Sequence, residues 1–256
     1  MKNRTVIPTI AVAATLGISI FVSTETALAA EIKVIASPAF REAYLELVPQ
    51  FEKASRHKVV TEWAGTADII KRMKAGERVD LVVISAASLD ELAKLGKIAP
   101  GSRVDVAKSG VGVAVRKGAH RPDISSGEAL KRALLSAKSI SYSSGPSGVY
   151  LAGLFERWGV AEQLKPKIRQ TPPGVAVGEV VARGEAEIGF QQVSELLPVA
   201  GIDYIGPLPK DIQQVTVFSG GIHAAAKEPD AARTLLKFLT APAAAPVIRK
   251  KGMEPG

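Results

Sequence analysis

Four short segments place small or hydroxyl-bearing residues directly before a predicted helix. They are Ser37-Pro38, Gly65-Thr66, residues 143–148 (SSGPSG) and residues 172–174 (PPG). The start of a helix offers unpaired backbone N–H groups and about half a positive charge, which suits an oxyanion. Taken singly, each segment is an ordinary helix cap. If the fold brings them together, the sequence predicts a site for a small anion at the carboxyl ends of the strands.

Other site chemistries find little support in the composition. Cysteine is absent, which excludes disulfides, thiolate metal sites and cysteine nucleophiles. The histidines His57, His120 and His223 lie far apart, without the HxH or HxxxH spacing of metal ligands. We therefore predict no metal site and no cofactor.

The chain is basic, with 33 Lys and Arg against 25 Asp and Glu and a net charge of +8. Such a charge suits nucleic acid, an anionic membrane or an anionic small molecule. Aromatic residues make up only 5% of the chain, and no segment interleaves them with Lys or Arg as a strand-binding protein does. We predict an anionic small molecule as ligand and no nucleic-acid partner.

The first thirty residues have the layout of a secretory signal peptide. Lys2 and Arg4 precede an apolar run at 6–22, which ends in the small-residue stretch TALAA. A membrane anchor is the alternative, but the A-x-A site and the Thr, Gly and Ser residues within the run favour cleavage. The prediction is a signal peptide at residues 1–29, cleaved after Ala29, and a protein located in the periplasm.

After that segment, short β-branched runs alternate with longer amphipathic stretches. Strands are predicted at 32–36, from Lys58 and from Asp80, with helices at 39–55, from Thr66 and after the third strand. The first helix places Tyr44, Leu47, Val48 and Phe51 on one face. This βαβαβα order predicts an α/β fold whose largely parallel sheet is covered on both faces.

Two long apolar strands, near 111–115 and 215–225, bracket a central α/β unit. We therefore expect the chain to leave one lobe and return to it, with lobe one at 30–108 and 220–256, lobe two at 109–219, and a hinge between them. A single doubly wound sheet is the alternative.

Several longer segments resemble a known family when their order is considered. They are ASPAFREAYLELVPQFEK, TADIIKRMKAGERVDLVVISAASLDELAKLGKI, VGVAVRKG, PSGVYLAGLFERWGV and VARGEAEIGFQQVSEL. From about Ala30 to the C-terminus, the chain resembles the molybdate-binding periplasmic proteins of ABC importers. The resemblance implies the two-lobed type II periplasmic binding protein fold with mixed, mostly parallel sheets. It also implies a monomer that binds a small anion and an ABC permease of the inner membrane as its partner.

The resemblance also implies a ligand site made of hydroxyls and backbone N–H groups. The positions that match are Ser37, Gly65, Thr66, Ser147, Gly148, Gly174 and Gln192. The family carries a tyrosine where this chain has Gln192, and Ser-Leu where it has Ser37-Pro38. An amide both donates and accepts, so the exchange suits an organic anion as well as molybdate or tungstate.

One relative of this family is an enzyme, aconitate isomerase, which interconverts trans- and cis-aconitate by moving a proton between two carbons. That reaction needs a general base and donors for the developing charge. Four residues are candidates for the base: Glu42, Glu179, Glu195 and His223. The predicted function is a periplasmic solute-binding protein of an ABC importer, and the alternative is an aconitate isomerase.

Overall fold

The computed structural model describes residues 29–256. The predicted signal peptide therefore lies outside the described residues, apart from Ala29. Within 29–256, no helix is both long and apolar enough to cross a membrane.

Strands and helices alternate along most of the chain. The strands are β1 Glu31–Ala36, β2 Lys58–Trp63, β3 Leu81–Ser85, β4 Val104–Arg116, β5 Ile140–Tyr142, β6 Ile168–Gln170, β7 Ile188–Gln192, β8 Ile202–Pro207, β9 Val215–Ile222 and β10 Glu254–Pro255. The helices are α1 Arg41–Ser55, α2 Thr66–Lys74, α3 Ala86–Lys94, α4 Gly127–Ser136, α5 Pro146–Arg157, α6 Ala161–Leu164, α7 Val177–Ala182, α8 Val193–Leu196, α9 Pro229–Leu239 and α10 Ala245–Lys250. Short 3₁₀ turns occur at Pro38–Phe40, Lys165–Lys167 and Pro242–Ala244.

The strands form one mixed sheet in the order β2-β1-β3-β9-β4-β7-β5-β6, with β8 and β10 also paired to β4. At one end β1 is parallel to β2 and β3, and at the other β5 is parallel to β6 and β7. The central strands β9 and β4 run antiparallel to their neighbours. The predicted α/β fold with a mixed sheet is confirmed.

The strand β4 belongs to both halves of this sheet. Its residues 104–110 pair with β9, whereas 111–116 pair with β7 and β8. We call β2, β1, β3, β9 and the first part of β4 the first half, and the remaining strands the second half. The sequence predicted only the later part of β4. The exact lobe boundaries, 30–108 with 220–256 and 109–219, stay a prediction.

Each half of the sheet has its own hydrophobic core. The predicted face of α1 (Tyr44, Leu47, Val48, Phe51) is buried against the first half together with α9. The opposite face of that half is covered by α2 and α3 through a separate cluster. The second half is covered by α4 and α5, around Phe155 and Phe190. The helices therefore cover both faces of the first half, as the alternating pattern predicted.

The sequence analysis missed β8, β10 and the short helices α6 and α8. Most side chains of strand β8 are only partly buried, so its sequence does not alternate clearly between apolar and polar residues. It also contains Gly206 and Pro207, which are uncommon inside strands. It pairs with β4 across a register shift between Val113 and Ala114. A strand of this kind carries little period-2 signal.

The buried carboxylate of Asp80 joins three parts of the first half. Its Oδ2 accepts from the N–H of Lys33 on β1 (2.8 Å), and its Oδ1 accepts from Lys227 (2.7 Å) and Glu228 (3.0 Å). The last two donors lie just before α9, where negative charge is also favoured by the helix dipole. The side chain thus satisfies three backbone donors.

We expect Asp80→Asn to lower the free energy of unfolding by about 2 to 3 kcal/mol, because an amide removes charge from these bonds and presents its N–H₂ to a donor. Chemical denaturation measures the loss. Asp90→Asn is the control: Asp90 pairs with Arg103 at 3.1 Å while half exposed, and its loss should stay under about 1 kcal/mol. Equal losses in the two variants would contradict the role of Asp80.

Candidate functional site

A cleft of about 210 Å³ lies between the two halves of the sheet. Its walls are the segments that follow β1, β2, β5, β6 and β7, so it sits at the carboxyl ends of the parallel strands. Of the seven predicted ligand residues, six line it: Ser37, Gly65, Thr66, Ser147, Gly174 and Gln192. The structure therefore brings the helix starts together, and their role in binding stays a prediction.

Ser37 directly follows β1 and caps the 3₁₀ turn that leads into α1. Its hydroxyl accepts from the N–H of Ala39 (3.4 Å), and its own N–H donates to the carbonyl of Val83 on β3 (2.8 Å). Pro38 fits the first position of the turn because it has no N–H to lose. Because the Ser37 hydroxyl uses only its oxygen in this bond, its hydrogen can be donated to a ligand in the cleft.

Gly65 and Thr66 open α2 on the same wall. Gly65 is the N-cap, and no side chain caps this helix, so its first N–H groups face the cleft without a competing oxygen. A β-carbon at Gly65 would lie 3.5 Å from the Cβ of Pro173, which belongs to the second half. A side chain at position 65 would therefore contact the opposite wall at this edge.

The opposite wall contains the start of α5. Gly145 is the N-cap, Pro146 follows it, and the hydroxyls of Ser143 and Ser147 are 3.2 Å apart. Gly148 lies one residue deeper and is not among the residues that line the cleft. A β-carbon there would lie 1.6 Å from the carbonyl oxygen of Ser143, so Gly148 is needed for this close turn.

Gly174 and Gln192 differ in what they offer a ligand. Gly174 is exposed, and its positive φ of 82° turns the chain toward α7. Gln192 is 1% exposed and pairs with Val111 of β4. In the orientation that satisfies its whole amide, the nitrogen donates to the carbonyls of Ser109 (3.0 Å) and Gly110 (3.3 Å), and the oxygen accepts from Thr216 (3.0 Å). Gln192 can serve a ligand only by giving up one of these partners.

Glu195 is the most unusual ionisable group in the cleft. It lies on α8, directly after β7, and its Oε1 accepts from the Nε2 of Gln191 (2.8 Å). The Oε1 of Gln191 in turn accepts from the N–H of Val177 at the start of α7 (2.9 Å). Burial raises the pKa of Glu195 to about 7, against the lowering effect of hydrogen bonds from Gln191 and the Gln192 backbone.

The four candidates for a general base differ in whether they line the cleft. Glu179 and Glu195 line the cleft, whereas Glu42 and His223 do not. The side chain of Glu179 is 62% exposed and lies 3.9 Å from Arg183. His223 forms an isolated bridge with Ile98, and burial lowers its pKa. Residues 29–256 contain no group of three acidic or histidine side chains placed to hold a metal ion.

Sequence reasoning missed Arg41, which also lines the cleft. It is the first residue of α1, and its guanidinium stacks over the ring of Trp63, 5.8 Å from the centroid. A cation at a helix start opposes the helix dipole. An Arg at this position, directly after the Ser-Pro turn, was the signal in the sequence that could have indicated an anion contact.

Relatives with known names match nearly the whole chain. An aconitate isomerase from Pseudomonas sp is 39% identical over 228 residues, covering 87% of each chain. The molybdate-binding protein ModA of Azotobacter vinelandii is 27% identical over 234 residues, covering 88% of this chain and 90% of ModA.

Solved structures share the fold at lower identity. The periplasmic molybdate-binding protein of Azotobacter vinelandii has a TM-score of 0.73 at 20% identity, covering 88% of this chain and 99% of its own. The sulfate-binding protein SubI of Mycobacterium tuberculosis has a TM-score of 0.72 at 17% identity, covering 88% and 87%. These likenesses confirm the two-lobed periplasmic binding protein fold.

A family model described as bacterial extracellular solute-binding protein matches residues 32–254, which is almost all of the described chain. Together with the cleft between the halves and the 39% identical relative, this match shows that the chain belongs to the bacterial extracellular solute-binding protein family.

Proposed function

We propose that this protein binds a small organic anion with more than one carboxylate in the cleft, as the periplasmic solute-binding component of an ABC importer. The observation that carries the proposal is the cleft itself. It combines uncapped helix starts, the hydroxyls of Ser37 and Thr66, and the guanidinium of Arg41. Such a set has positive potential and many donors, which favours an anion over a neutral or cationic solute.

The two walls supply different contacts to one ligand. The first half contributes Ser37, Arg41 and Thr66, and the second half contributes Ser147 and the turn at Gly174. A ligand that bonds to both walls stabilises the closed arrangement, and a permease that recognises this arrangement can tell loaded protein from empty protein. We propose a monomer in the periplasm and no cofactor.

Two features of the cleft suit a carboxylate ligand. Arg41 presents a planar fork that matches a carboxylate, and also a tetrahedral oxyanion, in two parallel hydrogen bonds. Glu195, with its raised pKa, is partly protonated near neutral pH and can then donate to a carboxylate. An oxyanion held by helix starts alone needs neither group.

A second candidate function is the isomerisation of an unsaturated tricarboxylate. The specific observation in its favour is Glu195, because a carboxyl with a pKa near 7 can both remove and return a proton at the working pH. The 39% identical aconitate isomerase makes aconitate the substrate to test.

We expect cis- or trans-aconitate or citrate to raise the melting temperature of the purified protein more than molybdate, tungstate or sulfate at the same millimolar concentration. A ligand at about a thousand times its Kd adds roughly 4 kcal/mol, or about 8 to 16 °C in a protein of this size. Thermal unfolding of separate samples measures the shifts. A shift with molybdate and tungstate alone would contradict a carboxylate ligand.

We expect Arg41→Gln to weaken binding of that carboxylate about 10- to 150-fold, because it removes hydrogen bonds from a charged donor worth roughly 1.5 to 3 kcal/mol. Calorimetric titration measures the Kd. Arg157→Gln is the matched control, since Arg157 stacks over Tyr150 at 5.4 Å in the same way but does not line the cleft. A Kd that is unchanged in Arg41→Gln would remove Arg41 from the site.

A further inference from the structure

We propose that Glu195 is the catalytic residue of this cleft and carries a proton between two carbons of a bound propene tricarboxylate. The proposal rests on the second candidate function above and names the group that performs it. Its support comes from where Glu195 is held, what surrounds it and which rival groups the cleft contains.

The position of the Glu195 carboxyl is fixed by a short chain of hydrogen bonds. The Val177 N–H donates to the amide oxygen of Gln191, and the amide nitrogen of Gln191 donates to Oε1 of Glu195. Helix α8 also packs against the 3₁₀ turn Pro38–Phe40, next to the Ser37 hydroxyl. Gln191 thus holds the Glu195 carboxyl at the cleft, where it can exchange a proton with a ligand.

The surroundings of Glu195 keep it from being an ordinary ion-paired carboxylate. The elements that pack against α8, with the residues that directly flank them, carry the following charged residues: Arg41, Asp105, Lys108, Arg116, Glu179, Arg183 and Lys251. Arg183 is engaged by Glu179 and Glu185, and Lys251 by Glu46. In the part of the chain that the structure describes, none of the ion pairs involves Glu195. Its raised pKa follows from this unpaired burial.

The rival carboxylate, Glu179, has a different setting. Its side chain is 62% exposed on α7, with Arg183 3.9 Å away. Glu179 is therefore an exposed carboxylate that shares an ion pair with Arg183. Glu195 is instead held at the cleft by Gln191 and takes part in none of the ion pairs within residues 29–256. The geometry therefore favours Glu195.

The proton transfer balances without any other reagent. The Glu195 carboxylate takes a proton from the methylene carbon, and the C–H electron pair forms a new double bond to the central carbon. The former double bond becomes single, and its electron pair on the far carbon takes the proton back from Glu195. Negative charge that develops on the ligand carboxylates is stabilised by Arg41 and by the helix starts. The double bond has moved, and Glu195 is a carboxylate again.

We expect the wild-type protein to isomerise trans-aconitate, and Glu195→Gln to lose 10²- to 10⁴-fold in rate. The variant should still show a thermal shift with trans-aconitate, because the amide of Gln can donate to a carboxylate as the protonated acid does but cannot act as the base. The wild-type rate should rise with pH and level off above about 7, because the charged form of Glu195 is the base. Proton NMR of the incubated ligand follows the reaction. Glu162→Gln is the control outside the cleft, since Glu162 is an exposed partner of Lys165.

Other results would overturn the proposal in distinct ways. A rate that falls in Glu179→Gln but not in Glu195→Gln would assign the base to Glu179. A wild-type protein that shows the thermal shift with trans-aconitate but no isomerisation would end the catalytic proposal while leaving the binding function intact. Absence of both the shift and isomerisation would reject both.

A second measurement tests the burial of Glu195 without any ligand. The folded-state pKa of about 7 lies above the ordinary value of 4.5, so the folded protein holds this proton more tightly than the unfolded chain. The contribution of Glu195 to stability is therefore lost as pH rises from about 4.5 to 7. The melting temperature of Glu195→Gln, relative to wild type, should increase by at least about 2 °C between pH 5 and pH 8. The same difference at both pH values would show an ordinary carboxyl and overturn the proposal.

Discussion

The two walls of the cleft are joined by the hydrogen-bonded crossing of β4 from one half of the sheet to the other. Residues up to Gly110 pair with β9, and residues from Val111 pair with β7. Two glutamine side chains form hydrogen bonds at this crossing. Gln192 bonds to the carbonyls of Ser109 and Gly110 and to the hydroxyl of Thr216. Gln213 both donates to and accepts from the backbone of Val111. Because the crossing fixes how the halves meet, it also fixes how closely the helix starts on the two walls approach each other.

Local sequence features predicted the parts of the fold that depend on local physics. The apolar face of α1 and the buried run of β3 follow from hydrophobic periodicity, and the helix starts follow from Ser-Pro and Gly-rich turns. The pairing of β4 with β7, β8 and β9 is set by contacts between residues far apart in sequence, so its full length was missed. Gln192 was included in the predicted site because it matches the position of a tyrosine in the family. Its amide instead binds backbone groups of β4, which no local pattern reveals.

Arg41 was missed from sequence, whereas Glu195 was named only as one of four candidates for a base, and the sequence did not distinguish it from the others. Arg41 looks like any surface residue of an amphipathic helix until the turn at Ser37 places it beside Trp63 in the cleft. Glu195 sits in a stretch, QQVSEL, that has the spacing of a helix start, where a Glu commonly bonds back to the cap residue. Only the depth of the cleft turns this capping carboxyl into one with a raised pKa.

The same burial suits Glu195 to two functions that differ in chemistry. As a neutral acid it donates a hydrogen bond to a bound carboxylate, which is a contact for binding. As a carboxylate it is a base whose pKa lies near the working pH, which suits the proposed removal of a proton from carbon. Both uses require the group to be desolvated, and neither requires a change in the fold. The two proposed functions therefore differ in the ligand that the cleft would hold rather than in the fold.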